Sequence, residues 1–310
     1  MEFQQNTAPA VLMVKPYRFG YNEQTAVTNQ FQEVSEKTEG QLIHEQAMAE
    51  FDQFAGVLKA HGVEVLVAHD SPEPPKPDAI FPNNWITMHP EGTAIFYPMC
   101  TPNRRWERRR AIVDLLNKYY KIDKEIDLSH YEEDEKYLEG TGSMVFDRAN
   151  KVCYACISAR TNQEILELFC QKTGHELVSF YAHDPQGQAI YHTNVMMSVA
   201  EHYAIVCLES IHNPAEKERV VHALDSHGKT IIPISYAQMY DFAGNVLELR
   251  GKDGLVLAMS ERAYHAFTEE QRSIISKYAT PVYAPLTTIE KVGGGGARCM
   301  LAEIFLPKRT

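Results

Sequence analysis

Apolar and polar residues alternate along this chain in short runs, and the runs come in pairs joined by a polar turn. Four pairs stand out: "NWITMHPEGTAIFYPM" from Asn84, "SMVFDRANKVCYACIS" from Ser143, "NVMMSVAEHYAIVCLES" from Asn194 and "NVLELRGKDGLVLAMS" from Asn245. Alternation of this kind predicts half-buried strands. The turns carry Pro-Glu-Gly, Arg-Ala-Asn, Ala-Glu-His and Gly-Lys-Asp-Gly, which is mostly hairpin chemistry. After each pair the apolar spacing lengthens to three and four, predicting helices over 106–119, 162–173, 214–227 and 268–278. A further apolar run, such as "ELVSFYAH" or "TIIPIS", then follows.

The pattern is a repeat. Its copies begin at 84, 143, 194 and 245, with steps of 59, 51 and 51, and a further step of 54 reaches Cys299, ahead of the run "MLAEIFLP". The fifth copy lacks its second strand, and the N-terminus offers one. "VLMVKP" at 11–16 precedes a helix near 41–61, on which Met48, Phe51, Phe54, Val57 and Leu58 form an apolar stripe, and then "VEVLVAH". Joining the ends predicts one α/β domain over 1–310: a five-bladed α/β propeller of pseudo-fivefold ββαβ repeats around a central channel, closed by the N- and C-terminal strands. Such closure leaves no sheet edge open. The competing reading is a doubly wound open α/β sheet.

Composition narrows the function classes. Apolar residues are 44% and charged residues 23% of the 310, ordinary for a globular protein, and the net charge of −11 argues against nucleic acid or anionic membrane as a partner. No run approaches the roughly 18–20 apolar residues that span a bilayer, and "MEFQQNTAPA" has no leader pattern. The six cysteines are dispersed, which predicts reduced thiols and a cytoplasmic setting. Cys153 and Cys156 form a C-x-x-C inside an alternating run, where they point to opposite faces, so core packing is the expectation.

In a ring of repeats, equivalent strand ends meet at one mouth. The register therefore gathers residues 82–84, 139–143, 192–194, 243–245 and 298–299. A thiol (Cys299), an imidazole (His192) and a carboxylate (Glu139) converge there. These are the parts of a nucleophile, its proton carrier and an orienting group. "KVGGGGARCM" leaves the backbone bare just before Cys299, so that a substrate can approach the thiol closely. Taken singly, each of these residues is more often structural: a buried cysteine, a satisfied histidine, a turn glutamate.

The motifs "DAIFPNNW", "YLEGTGSMV", "YHTNVMM" and "GGGGARCM" together resemble the guanidino-group-modifying superfamily, the pentein fold of arginine deiminases, dimethylarginine dimethylaminohydrolases and amidinotransferases. The closest resemblance is to the arginine deiminase-related group with its citrulline-utilisation hydrolases. The resemblance implies Cys299 as nucleophile, His192 as proton carrier and Glu139 as its orienting acid. It further implies Asp78 for a substrate α-amino group, and Arg104 or Arg105 together with Arg160 for the α-carboxylate. For Arg104 and Arg105, "RRWERRR" also reads as a solvated helix start. No metal or organic cofactor is expected, and the partner is a small amino-acid substrate, citrulline or arginine-like; a homo-oligomer is left open.

One departure from the family pattern matters. Where arginine-directed relatives place acidic residues, this chain has Asn83 and Asn84, with Asn194 adding a third amide. An uncharged amide, both donor and acceptor, suits a neutral ureido group better than a buried cation. The expectation is therefore a citrulline ureidase, forming ornithine, carbon dioxide and ammonia through a covalent cysteine adduct. Glu139 remains as a partner for a guanidinium, so an arginine or methylarginine hydrolase, an amidinotransferase and a non-enzymatic scaffold stand as alternatives.

Overall fold

The computed structural model describes residues 6–33 and 40–309. Residues 1–5, the start of the stretch read for a leader, lie outside the described residues. The described residues form fifteen strands: β1 (Ala10–Lys15), β2 (Glu64–His69), β3 (Ile86–Met88), β4 (Thr93–Phe96), β5 (Lys124–Asp127), β6 (Val145–Asp147), β7 (Val152–Cys156), β8 (Glu176–Phe180), β9 (Met197–Val199), β10 (Tyr203–Val206), β11 (Thr230–Pro233), β12 (Leu247–Arg250), β13 (Leu255–Ser260), β14 (Thr280–Ala284) and β15 (Ala302–Ile304).

The strands repeat one pairing. In β3-β4-β5, β6-β7-β8, β9-β10-β11 and β12-β13-β14 the first strand runs antiparallel to the second and the second parallel to the third. The chain ends repeat it: β1 runs antiparallel to β15, with Ala10 opposite Ile304, and parallel to β2. The fold is thus mixed α/β, and the open doubly wound sheet is replaced by small separate ones. The strand pairing does not by itself establish the closed five-bladed propeller. The strands form one six-stranded and three three-stranded sheets, because β15 and β3 share a parallel bridge, Ile304 to Met88, that merges two triples.

Helices connect the second and third strands, and local sequence sets their ends. Gln163–Thr173 starts at Asn162, whose side chain accepts from two backbone N–H groups, and stops at Gly174 in the left-handed region (φ 72°). Pro214–Ser226 is capped by Asn213, and Glu269–Ile275 by a Thr268/Gln271 capping box. The helix expected over 106–119 is instead a 3-10 turn at Pro102–Glu107 and a helix at Arg110–Tyr119. Arg108 breaks between them, with ψ of 73°, and its guanidinium donates to the Tyr97 carbonyl and to Glu132.

The cores lie between the sheets and these helices. Strand β7 is buried on both faces, and Cys153 and Cys156 fall into different clusters, as alternation requires. All six cysteines are free thiols. The first strands β3, β6, β9, β12 and β15 also begin later than the pattern suggested. Single helical turns at Pro82–Asn84, Gly140–Ser143, Thr193–Met196 and Ala297–Met300 precede β3, β6, β9 and β15. Cys299, His192, Glu139, Asn83, Asn84 and Asn194 sit on or beside these turns. No described helix is long and apolar enough to cross a membrane.

Candidate active site

The turns converge on a narrow cavity of only about 10 Å³ whose walls include Asp78, Phe81, Asn84, Arg104, Arg160, His192 and Cys299. Thr25, Asn29 and the glycine run at Gly293–Gly295 also line it. The repeat register thus brings thiol and imidazole to one space, with Glu139 directly behind the imidazole.

Cys299 is 4% exposed. Two side-chain amides aim at its sulfur: Asn245 Nδ2 at 3.3 Å and Asn194 Nδ2 at 3.5 Å. Burial pushes the thiol above its ordinary pKa, while the Asn245 amide, the Arg298 charge, the Asn194 amide and the Gly296 backbone pull the other way. The balance leaves a protonated thiol that needs a base. The glycine run makes room for it: a Cβ on Gly295 would stand 2.9 Å from the Phe81 ring and 3.3 Å from the Cβ of Cys299.

His192 Nε2 lies 2.8 Å from Glu139 Oε2, and both residues are buried. Burial disfavours the ionised form of Glu139, but Arg160 and the bond to His192 outweigh it and hold the carboxyl below its usual range. The Cys100 backbone N–H donates to its other oxygen at 2.9 Å. An ionised Glu139 accepts a hydrogen bond from Nε2–H, which leaves the lone pair on Nδ1. Burial lowers the imidazole pKa to about 4 against the pull of Glu139, so the ring is neutral near pH 7.

Gly142 sets the packing of this corner. A Cβ there would stand 2.3 Å from Asn84 Nδ2 and 2.8 Å from His192 Nδ1. Gly142→Ala is therefore expected to displace both side chains and to lower turnover by about a hundredfold, with an overpacking cost of about 1–3 kcal/mol. Steady-state kinetics beside a thermal melt checks this, and an unchanged kcat in a folded variant contradicts it.

The remaining candidates divide. Asp78 Oδ2 accepts from Asn22 Nδ2 at 2.7 Å, while Oδ1 is buried without a partner. Arg160 donates to Thr28 Oγ1 and to the Thr25 carbonyl, stacks over the Tyr191 ring at 4.9 Å, and has Glu139 at a longer 3.5 Å. Arg104 is buried against Glu107. Arg105 is elsewhere: it donates to the Met99 carbonyl, pairs with Glu132 at 3.4 Å, and lines a separate surface cleft. Asn83 is fully buried beside the cavity wall with both amide ends unpartnered. Asn194 faces the sulfur rather than lining the cavity.

Several site residues were not among the candidates. Asn245 lay in the repeat register, and its amide is the nearer of the two on the thiol. Tyr191 donates from its hydroxyl to the Gly294 carbonyl at 2.9 Å. The 22–33 segment is tied to the glycine loop by Asn29, by Gln32 and by the Glu33 backbone, which bonds to Lys291. That segment has no apolar period, and its partners are backbone carbonyls, so no pattern in the sequence announced it.

Solved structures with this fold are known. The N-terminal domain of ArgZ, an arginine dihydrolase from the ornithine-ammonia cycle in cyanobacteria, was solved bound to substrate. It is 16% identical over 96% of this chain and 98% of its own, with a TM-score of 0.73. AgrE in binary complex with L-arginine is 16% identical over 97% of this chain but 40% of its own, at 0.75. A dimethylarginine dimethylaminohydrolase adduct with S-methyl-L-thiocitrulline is 15% identical over 96% of this chain and 99% of its own, at 0.64. At these identities the likeness establishes the fold. The chain matches no curated protein sequence. The sequence itself carries the family, over residues 15–306: the chain belongs to the N,N dimethylarginine dimethylhydrolase family in its eukaryotic form, within the guanidino-group-modifying superfamily of hydrolases that act on carbon–nitrogen bonds other than peptide bonds.

Proposed function

We propose that this hydrolase cleaves the ureido group of citrulline, and that its strand triples form five blades around the cavity. The observation that carries the substrate reading is the wall beside the nucleophile. Asn84, an uncharged amide with a free N–H₂ group, stands there in place of a carboxylate. A ureido oxygen can accept from that amide, whereas a guanidinium has only donors to offer.

The reaction follows from the groups present. His192 Nδ1 takes the thiol proton and Cys299 Sγ bonds to the ureido carbon. The imidazolium gives the proton to the δ-nitrogen as the C–N bond breaks, and ornithine leaves. A carbamoyl group remains on sulfur. Water, deprotonated by His192, adds to it, the S–C bond breaks, the thiol regains its proton, and carbamate falls to carbon dioxide and ammonia. Glu139 keeps the imidazole in the required tautomer. Asp78, through its free Oδ1, suits the α-ammonium, and Arg160, held less tightly by its carboxylate partner than Arg104 is, suits the α-carboxylate. Substrate is a free amino acid, and the setting a cytoplasm.

A guanidino substrate is the second reading, favoured by the family's own description and by the carboxylates Asp78 and Glu139. Incubation with citrulline or arginine, with ornithine, citrulline and ammonia quantified, separates the two. Ornithine from citrulline is expected. Citrulline or ornithine formed from arginine alone contradicts the ureido reading.

A further inference from the structure

Arg104 is placed to orient another side chain. A guanidinium has five N–H donors and no acceptor. Nε and Nη2 of Arg104 donate to the two oxygens of Glu107 at 2.8 and 2.9 Å, and Nη2 also reaches the Phe81 carbonyl at 3.2 Å. Nη1 donates to Asn84 Oδ1 at 2.9 Å. Arg104 is 3% and Glu107 2% exposed, so the pair is sealed from water. Its charge is already met by a two-bonded carboxylate, which leaves it poorly placed to grip a second one on the substrate.

The consequence falls on Asn84. A donor-only neighbour forces the amide oxygen toward Arg104, and the N–H₂ must take the other end. Asn84 Nδ2 is buried and has no partner. It lies at the Gly142 corner beside His192, on a side chain that lines the cavity with Cys299. An amide free to rotate would offer either end to the substrate. This one is held with its oxygen on Arg104 and its N–H₂ at the Gly142 corner.

We propose that Arg104, clamped by Glu107, is a positioning residue for substrate choice: it locks the Asn84 amide so that the cavity favours a substrate whose reacting carbon carries an oxygen acceptor. The proposal rests on the ureido reading of the site and deepens it.

The test measures affinity, so it does not depend on turnover. In the Cys299→Ala background, citrulline and arginine are each titrated by calorimetry. The same is done with Arg104→Gln/Glu107→Gln added, which removes both buried charges together and leaves neither unpaired. The citrulline-to-arginine affinity ratio is expected to fall at least about tenfold, the scale of one misplaced buried hydrogen bond. A carboxylate clamp would act on a group common to both ligands, so a ratio that holds while both affinities drop overturns the proposal. Should the double variant fail to fold, Asn84→Asp decides. It keeps an acceptor toward Arg104 and replaces the donors by an acceptor, so the ratio should shift toward arginine at least about tenfold; no shift overturns the proposal. Failure of the wild type to turn over citrulline would sink the ureidase reading alone, because the ratio change is read independently.

Discussion

Cys299→Ala is expected to lower kcat by at least about ten-thousand-fold while leaving citrulline affinity within a few fold. Cys299 carries the one thiol among the described residues that line the cavity, and its removal takes away the sulfur that would carry the acyl group. Binding should survive, because the groups suited to the two ends of the amino acid, Asp78 and Arg160, lie on other turns of the chain. The substitution removes one sulfur from a site where two amides pointed at it, Asn245 at 3.3 Å and Asn194 at 3.5 Å, so a modest stability cost accompanies it. Steady-state kinetics paired with calorimetry reads both quantities. Residual turnover above one per cent of wild type would remove Cys299 from the chemistry.

His192→Gln is the second large effect, with an expected loss of about a hundred- to ten-thousand-fold. One side chain is asked to take the thiol proton, protonate the leaving amine and activate water, so no single step escapes its loss. Glu139→Gln should cost less, since a glutamine oxygen can still accept the Nε2 proton, but it leaves Arg160 without its nearby anion. The pH profile carries the sharper content. The mechanism needs a neutral imidazole, and burial lowers its pKa from 6.5 to about 4. Activity should therefore persist below pH 6.5, and the acid limb of kcat/KM, which reports the free enzyme, should lie nearer 4. An acid limb at the ordinary histidine value would contradict a buried, neutral His192 as the base.

The sequence made much of this molecule readable because its repeats are local. Hairpins, capped helices and parallel third strands each write a pattern within about fifteen residues, and equivalence among copies then placed Cys299, His192 and Glu139 together without any three-dimensional information. Elements without a period were lost. The single turns that carry the site residues are too short to show a helical spacing, so they read as strand starts. The 22–33 segment is held by bonds to the backbone carbonyls of residues 291–294, which leave no trace in side-chain pattern. Arg104 and Arg105 are neighbours with the same side chain, yet one is sealed inside and the other sits on the surface. The signal that separates them was present: Glu107 stands three residues after Arg104 and closes a buried pair with it.

The most direct test is to follow the carbon itself. Citrulline labelled at the ureido carbon is mixed with enzyme, quenched in acid within one turnover, and the protein mapped for label. The account predicts label on Cys299, formed as ornithine appears and lost as carbon dioxide is released. Ornithine formed with no label on Cys299 at any time, or label reaching Cys299 from guanidino-labelled arginine and never from citrulline, would contradict it.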